Sequence, residues 1–430
     1  MVPVSIGGKL QIDPGATLQL DHSDRLPVGS PISIANAGGG VTGNFSQVTD
    51  EFAFLDPSVT AGGGGLSLTL ERDGTTVPSQ GETPNQVSVG GAIETLPVTS
   101  PVFNAVILLP DSPGAVTQAL SALSGESHAN TAVSLLDNRF LTDGVGQRLR
   151  GQAFTSEVGA NTAWFSARAL PRRIDPSGGM PGLRTRDEGV MAGIDRRFGE
   201  NVVAGISVGR QDMESWSREY DDTADIDANH VGLYAQADWG RFSLTGGVDY
   251  ADYDIESRRQ VTIGSTLDER LNADYDAQAI SGYVEAAWTF EAGSARYTPY
   301  LNVTHTRLKT DGFTEQGGVA ALSADSQRDD YTSATLGVRA AWDLGQRARL
   351  EAGLGWQHAF GDTDLSRTMR MAAGSGFEVR SVALAENAAV GEFGISLQTS
   401  QASRLSMMLQ GASGDGETAY GAQLTWGWSF

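Results

Sequence analysis

Apolar and polar residues alternate along most of the second half of the chain. The clearest case is the end of the sequence, where one face of an extended strand carries Leu424, Trp426, Trp428 and Phe430. A strand of this kind crosses a membrane with its apolar face against lipid. Because a single strand leaves backbone groups unpaired in hydrocarbon, the pattern predicts enough further strands to close a ring.

Twelve segments with this alternation follow residue 161. Short connections such as Gly199-Glu200 and Gly240 alternate with longer ones, for example about 214–225 and 257–272. Turns therefore lie at one end of the ring and loops at the other, as in outer-membrane barrels, whose turns are periplasmic. The fold class we expect is an all-β, twelve-stranded antiparallel transmembrane barrel with a helix in its lumen. The alternative is a soluble β-sandwich.

Aromatic residues beside the short turns favour the membrane barrel over the sandwich. Aromatic side chains collect at membrane interfaces, so these residues predict a periplasmic girdle. The predicted girdle consists of Phe198, Trp239, Phe242, Trp288, Phe290, Tyr297 and Trp342.

Upstream of the first strand the pattern changes to that of a helix. Residues 114–150 carry apolar positions at three- and four-residue spacing, among them Leu120/Leu123 and Leu136/Phe140. Small side chains keep this helix narrow, and a ring of twelve strands leaves room for about one helix. We expect the helix to thread the lumen. The alternative is a connector outside the membrane.

The charged residues support a helix inside the ring. An arginine in a low-dielectric channel requires an acidic partner. We therefore expect salt bridges between three helix arginines and five acids of the barrel wall: Arg139, Arg148 and Arg150 with Asp195, Asp238, Asp249, Glu285 and Glu351.

The first 112 residues are rich in glycine and short β-patterns. Residues 9–13 and 17–21 predict two stacked rungs at the end of a β-solenoid. Residues 75–101 have the composition of a polar linker or irregular cap. The expected division is 1–112 for the end of the solenoid with its cap and linker, 113–153 for the threading helix and 154–430 for the barrel.

Composition narrows the class of protein. The 430 residues carry a net charge of -22, which argues against nucleic acid as a partner. No cysteine is present, so thiolate metal sites and thiol catalysis are excluded. The start Met1-Val2-Pro3-Val4 has no signal-peptide pattern, and we expect the sequence to be part of a longer exported precursor.

Candidate catalytic and metal-binding residues are few. The segment Gly205-Ile206-Ser207-Val208-Gly209 matches a hydrolase nucleophile elbow, but it lies inside an alternating strand. His230 is a candidate base for a hydrolase in the lumen, and a structural histidine is the alternative. The acidic loops around Asp222 and Asp329 offer oxygen ligands to calcium, although their spacing matches no calcium loop. We expect no catalytic residue, metal or cofactor.

The order of solenoid end, slender helix, twelve-stranded barrel and aromatic terminal strand resembles the monomeric autotransporters of type V secretion. Three motifs carry the resemblance. Residues 39–45 with 52–57 resemble the cap at the passenger's end, residues 120–126 with 135–150 the linker helix, and residues 426–430 the terminal insertion signal.

The resemblance implies an outer-membrane translocator that exports its N-terminal passenger and anchors it at the cell surface. It also implies partners: outer-membrane lipids, the β-barrel assembly machinery and periplasmic chaperones, with the chain itself a monomer. Some members cleave their passenger at an asparagine pair in the helix, whereas this chain has Asp137-Asn138. The alternative function is an outer-membrane hydrolase with lumenal Ser, His and Asp residues.

Overall fold

The computed structural model describes residues 3–20, 26–137, 139–150, 157–217 and 221–430. Short strands come first along the chain, then helices, then a large closed sheet.

Eight short strands make up the N-terminal part. They are β1 (Val4–Ile6), β2 (Leu10–Gln11), β3 (Thr17–Gln19), β4 (Ile32–Ala37), β5 (Val41–Thr42), β6 (Gln47–Thr49), β7 (Leu55–Gly62) and β8 (Gly65–Arg72). Strands β1, β2 and β3 pair in parallel with β4, β5 and β6, each with a partner 30 or 31 residues further along the chain. The pair β7–β8 is antiparallel.

The predicted stacking of residues 9–13 on 17–21 is wrong. Leu10 pairs with Val41 and Thr17 with Gln47, so β2 and β3 belong to one coil of the chain and stack on the next coil. Residues 9–13 and 17–21 are similar because they form two faces of the same coil. Strands stack only after the chain has completed a full coil, so these two segments do not lie over one another.

Five helices follow: α1 (Pro84–Ile93), α2 (Pro101–Ile107), α3 (Ala115–Ser124), α4 (Glu126–Leu136) and α5 (Phe140–Leu149). The single helix expected over 114–150 is therefore three helices. Gly125, at a left-handed φ of 70°, separates α3 from α4. None of the helices in the described ranges is both long and apolar enough to cross a bilayer.

Helix α1 lies within residues 75–101, where a polar linker or irregular cap was expected, so that expectation is wrong. The reason is a capping box at the start of α1. The Gln86 N–H donates to the Thr83 hydroxyl at 3.2 Å, and the Thr83 N–H donates to the Gln86 side chain at 3.1 Å. Pro84 occupies the first helical position. The Thr83-Pro84-Asn85-Gln86 signature was present in the sequence.

The remaining strands are β9 (Asn161–Ala169), β10 (Arg172–Ile174), β11 (Leu183–Phe198), β12 (Val202–Ser217), β13 (Thr223–Trp239), β14 (Phe242–Ile263), β15 (Leu267–Trp288), β16 (Phe290–Ala292), β17 (Ala295–Thr310), β18 (Phe313–Thr314), β19 (Leu322–Ala324), β20 (Gln327–Leu344), β21 (Ala348–Phe360), β22 (Ser366–Met371), β23 (Gly376–Arg380), β24 (Asn387–Gln398), β25 (Ser403–Gly414) and β26 (Glu417–Ser429).

Twelve of these strands close into one antiparallel ring. Strand β9 pairs with β11 on one side and with β26 on the other, which joins the two ends of the sheet. The predicted fold class is confirmed. Strands β18, β19, β22 and β23 form a separate small sheet.

The two faces of the ring differ as the alternation predicts. The outer face exposes apolar side chains such as Ile206, Leu233 and Leu336, whereas intervening residues such as Ser207 and Tyr234 are buried toward the lumen. Outward apolar side chains suit lipid, which offers no hydrogen-bond partners.

Several strands extend well beyond this apolar band. Residues 257–272, expected to be a loop, instead form the ends of β14 and β15, each 22 residues long. Their inward side chains, among them Tyr253, Val261 and Leu271, are buried in an apolar cluster, while Asp252 and Asp254 face outward and are exposed. We call residues 251–279, with the neighbouring strand ends 223–229 and 305–310, the outer collar.

Helices α1 to α4 fill the outer collar, and we call them the outer plug. Helix α3 packs against β14, α4 against β17 and β23, and α1 against β23. The fully buried side chains of Leu120, Leu123 and Leu135 belong to the same apolar cluster as the collar side chains. The strand ends are ordered as strands because the outer plug covers their apolar inner face.

Candidate functional site

Helix α5 lies inside the ring, and we call it the inner plug. It packs against β9, β13, β14 and β26. Phe140, Leu141, Val145 and Leu149 share an apolar cluster with wall residues that include Trp164. The helix has ten residues, about 15 Å at ~1.5 Å per residue, so it occupies only part of a ~30 Å hydrocarbon core.

Arg148 of the inner plug contacts a predicted acid of the wall. Its guanidinium lies 2.8 Å from the Asp195 carboxylate, and both side chains are almost fully buried. The Tyr234 hydroxyl donates to the other Asp195 oxygen at 3.0 Å and accepts from the Trp164 indole N–H at 2.5 Å. Each oxygen of the buried Asp195 carboxylate thus has a hydrogen-bond donor, which a buried charge requires.

Arg150 and Glu285 lie in one charge network without a direct ion pair between them. Arg150 reaches Glu392 at 3.2 Å, which the sequence reasoning did not include. Arg339 bridges Glu285 at 2.6 Å and Glu392 at 2.9 Å. The wall thus supplies its own arginine between two acids.

Arg139 precedes the inner plug, and its partners are not among the five wall acids that the sequence predicted. It lies 3.2 Å from Asp137 and donates to Gln357. Asp137 is also held by Arg172 at 3.2 Å. Asn138, on which the possibility of self-cleavage depended, lies outside the described residues.

The other three predicted acids contact residues of the wall. Asp249 lies 2.8 Å from His230, Asp238 accepts from Gln236 at 3.1 Å, and Glu351 accepts from Ser396 at 2.8 Å. Within the described ranges, none of the three is hydrogen-bonded to an arginine of the inner plug.

Two contacts of the inner plug were missed. Arg168 of β9 bridges Asp143 of α5 at 3.2 Å and Asp187 of β11 at 2.7 Å. The Thr425 hydroxyl of the terminal strand donates to Gln147 of α5 at 2.9 Å. The alternation within β9 and β26 is a signal that could have shown Arg168 and Thr425 as inward-facing, and Asp143 is the acidic residue within α5.

A cavity of about 160 Å³ remains beside the inner plug. Its lining includes Thr142 and Gly146 of α5 and Tyr283, Tyr300 and Gln357 of the wall. The inner plug therefore fills the lumen on one side and leaves a polar space on the other.

The lumenal histidine does not form a hydrolase site. His230 contacts Asp249 through Nδ1 at 2.8 Å, and its Nε2 is 2.9 Å from the Gln211 amide oxygen. In a hydrolase, Nε2 would face the hydroxyl group of a nucleophile, but here it faces an amide. Ser207 lies within strand β12, between the lipid-facing Ile206 and Val208, and not at a strand-to-helix elbow.

The acidic loops are the candidate calcium sites of the sequence. Among the described residues, no group of three or more His, Asp or Glu side chains is arranged to hold a metal ion. Asp222 is buried and its carboxylate accepts from the backbone N–H of Gln260 at 3.3 Å, while Asp330 pairs with Arg307 at 2.8 Å.

A buried polar group ties the outer plug to the collar. Glu315 accepts from Arg259 at 2.6 Å and from His128 of α4 at 2.9 Å. Burial lowers the pKa of His128 although the hydrogen bond to Glu315 opposes this, so at neutral pH a neutral imidazole donates to the carboxylate. Burial raises the pKa of nearby Asp222 to about 6, against the attraction of Arg259.

The predicted girdle residues lie at the end of the ring with the short turns. Ring contacts link Trp239 to Phe242, Phe242 to Trp288, and Trp288 to Phe290, with centroids 5.9 to 6.5 Å apart. Phe198 and Tyr297 are exposed, and Trp342 is half-buried.

The terminal strand exposes the four residues proposed as an insertion signal. The side chains of Leu424, Trp426, Trp428 and Phe430 are 44 to 56% exposed on the outer face. Phe430, the last residue, closes the ring, because its backbone exchanges hydrogen bonds with the backbone of Asn161 at 2.9 and 3.0 Å.

Residues 163–410 match the family model of the autotransporter β-domain. The chain belongs to this family. Its barrel is therefore an outer-membrane translocator, through which a passenger is exported to the surface of a Gram-negative cell. The resemblance seen in the sequence is confirmed.

The similar proteins agree with this membership. Two extracellular serine proteases of Serratia marcescens are each 26% identical to the chain, over 98% and 93% of its length. The chain spans 45% and 43% of them. The translocator domain of the autotransporter NalP from Neisseria meningitidis has the same fold, with a TM-score of 0.54 and 16% identity over 67% of this chain and 96% of that domain.

The buried carboxyl group of Asp222 predicts a pH dependence of outer-plug docking. A pKa of about 6 in the folded state lies above the value of 3.8 for an exposed group. The folded state therefore binds the proton more tightly, and this contribution to stability, on the order of 2–3 kcal/mol, is lost as pH rises from about 4 to about 6.

Asp222→Asn removes this dependence. The measurement is hydrogen exchange of α4 in detergent micelles between pH 4.5 and 7.5, corrected for intrinsic rates. The pH dependence of α4 protection is compared between the variant and the unaltered chain. The comparison cancels the contribution of His128, whose lowered pKa acts in the opposite direction. Identical pH profiles for both chains would contradict the assignment.

Proposed function

We propose that the translocator is closed by two successive plugs after export. The inner plug blocks the membrane-embedded lumen, and the outer plug seals the collar above it. The observation that carries this proposal is the Arg148–Asp195 contact of 2.8 Å, which ties the inner plug to the wall inside the ring. The shared apolar cluster of outer plug and collar supports the second closure.

The proposal divides the chain by task. Residues 1–112 are the end of a passenger with its cap, although α1 and α2 of this part also belong to the outer plug. Residues 113–153 are the linker that crosses the barrel, and residues 154–430 are the outer-membrane barrel. The constant stacking offset of β1–β6 supports a solenoid at the passenger's end.

We further propose that the complete protein carries a protease as its passenger. The support is that relatives matching 98% and 93% of this chain are named extracellular serine proteases, and that the chain spans less than half of each. His230 and Ser207 do not form a catalytic pair, so we assign the proposed protease activity to the passenger.

Assembly of the barrel is proposed to depend on its terminal strand. The β-barrel assembly machinery would recognise the apolar outer face of β26 after periplasmic chaperones deliver the unfolded chain, and the finished barrel would be a monomer in outer-membrane lipids. Support comes from the position of β26. The sheet keeps two unpaired edges until β26 pairs with β9.

The two plugs can be separated by truncation. Removal of residues 1–136 leaves the inner plug in place, and we expect only small single-channel currents in planar bilayers, through the cavity beside α5. Removal of residues 1–150 also empties the lumen, and we expect a conductance several-fold larger. Heat-modifiable migration checks that both barrels have assembled. Equal conductance of the two truncated chains would show that α5 does not occupy the pore.

A charge on the lipid face of the last strand is expected to impair assembly. Trp428→Asp places a carboxylate against lipid, at a depth-dependent cost below the about 2–4 kcal/mol of an arginine or lysine at the bilayer midplane, and weakens the proposed recognition face. The amount of heat-modifiable barrel in outer-membrane fractions should fall severalfold. Trp428→Phe, which keeps the face apolar, is the control. Unchanged assembly of the aspartate variant would refute the role of this face.

A further inference from the structure

Four glycines form a shallow groove in the lumenal wall. Gly189, Gly209, Gly232 and Gly247 face inward on β11, β12, β13 and β14, four successive strands of the ring. We call them the glycine seat. A β-carbon at Gly189 or at Gly209 would lie 2.5 Å from the ring of Phe140.

The second residue of the inner plug occupies the rest of the groove. A β-carbon at Gly232 would lie 2.5 Å from Leu141, while one at Gly247 would lie 2.7 Å from Tyr283 of the wall and 3.3 Å from Leu141. The 2.5 Å approach at Gly232 is closer than real β-carbons show, so a larger residue there would displace the end of the Leu141 side chain.

Other lumenal glycines are covered by the wall itself. Gly193 lies under Trp164 and Gly337 under Tyr300, with β-carbon distances of 2.5 and 2.7 Å. The glycine seat differs from these two, because at three of its four positions the nearest atom belongs to the plug. The wall is therefore shaped here for a segment that enters the lumen, and without that segment the groove would be empty.

Two polar side chains contact the Phe140 ring. The Arg168 guanidinium lies 4.7 Å from the centre of the Phe140 ring, and the His230 ring lies 4.5 Å from it. His230 is itself fixed by Asp249 and Gln211, at 2.8 and 2.9 Å. A cation over an aromatic face is attractive, more so away from water.

A second attachment follows at a fixed spacing. Arg148 comes eight residues after Phe140, about 12 Å along a helix, and meets Asp195. The sequence contains two Phe-Leu pairs, Phe54-Leu55 and Phe140-Leu141. Eight residues after Phe54 the chain has Gly62, so the first pair lacks the arginine that the wall can bind.

We propose that the glycine seat and Asp195 together form a register latch, which holds the exported chain in one final position. This inference rests on the proposed function of α5 as the inner plug. The covalent link to β9 limits how far the chain can move outward, but it does not fix the rotation or height of α5. Simultaneous engagement of Phe140 and Arg148 fixes both.

The inner plug needs this support because it is a weak helix by itself. It has ten residues, and Gly144 and Gly146 lie near its middle. Isolated helices of this length are marginal in water, and each interior glycine lowers stability further. Protection of its backbone amides therefore reports on the latch.

The test is hydrogen exchange of residues 140–149 in the full chain, followed by mass spectrometry in detergent micelles. Phe140→Ala and Gly209→Ala each remove the fit, and we expect exchange at least about tenfold faster in either variant. In the Phe140→Ala background the added methyl group of Gly209→Ala no longer meets a ring, so we expect a further change below about twofold.

Gly282→Ala is the matched control, since a β-carbon there faces away from the lumen and lies 3.8 Å from its nearest neighbour. It should leave exchange of α5 unchanged. Equal acceleration by Gly209→Ala in both backgrounds would assign its effect to the strand and overturn the latch, as would unchanged exchange in Phe140→Ala. Fast exchange of α5 in the unaltered chain would instead contradict the inner plug itself.

Discussion

Every backbone N–H and C=O group in hydrocarbon must find a partner within the protein, and this constraint organises the whole molecule. It requires β26 to pair with β9, so the last residue of the chain and Asn161 complete the ring. A closed ring has a lumen, and twelve strands make it wide enough for about one helix. Helix α5 lies in that lumen, where it meets inward-facing side chains of the wall.

The ring holds the two plugs by two kinds of contact. Above the lipid band, the outer plug and the outer collar share one apolar cluster, and the hydrophobic effect supplies most of the stabilisation. Within the band, the inner plug is surrounded by charges that are paired, such as Arg148 with Asp195 and Arg168 with Asp143. Buried ion pairs add little net stability, because desolvation offsets their attraction, but a broken pair is costly. They therefore select one position of the helix more than they strengthen it.

Alternation of side chains was sufficient to predict the ring, because each strand meets lipid on one face wherever it lies. It did not predict the extended ends of β14 and β15, because the apolar residues on their inner face are buried only by contact with the outer plug. It also did not predict that Arg150 reaches Glu392, which depends on the rotation of α5 about its axis, or that Asp249 pairs with His230 of the neighbouring wall strand. The capping box at Thr83 was readable in the sequence, whereas the solenoid stacking required the path of the chain between coils.

The position of α5 inside the ring is tested most directly by cross-linking, since the chain has no cysteine of its own. Gln147 and Thr425 are 2.9 Å apart at their side-chain oxygens, while the side chain of neighbouring Trp426 faces lipid. A chain with cysteines at 147 and 425, treated in intact outer membranes with a short thiol-specific cross-linker, should become linked in most molecules. A chain with cysteines at 147 and 426 should not. Assembled barrels that remain unlinked in the first chain would contradict the account.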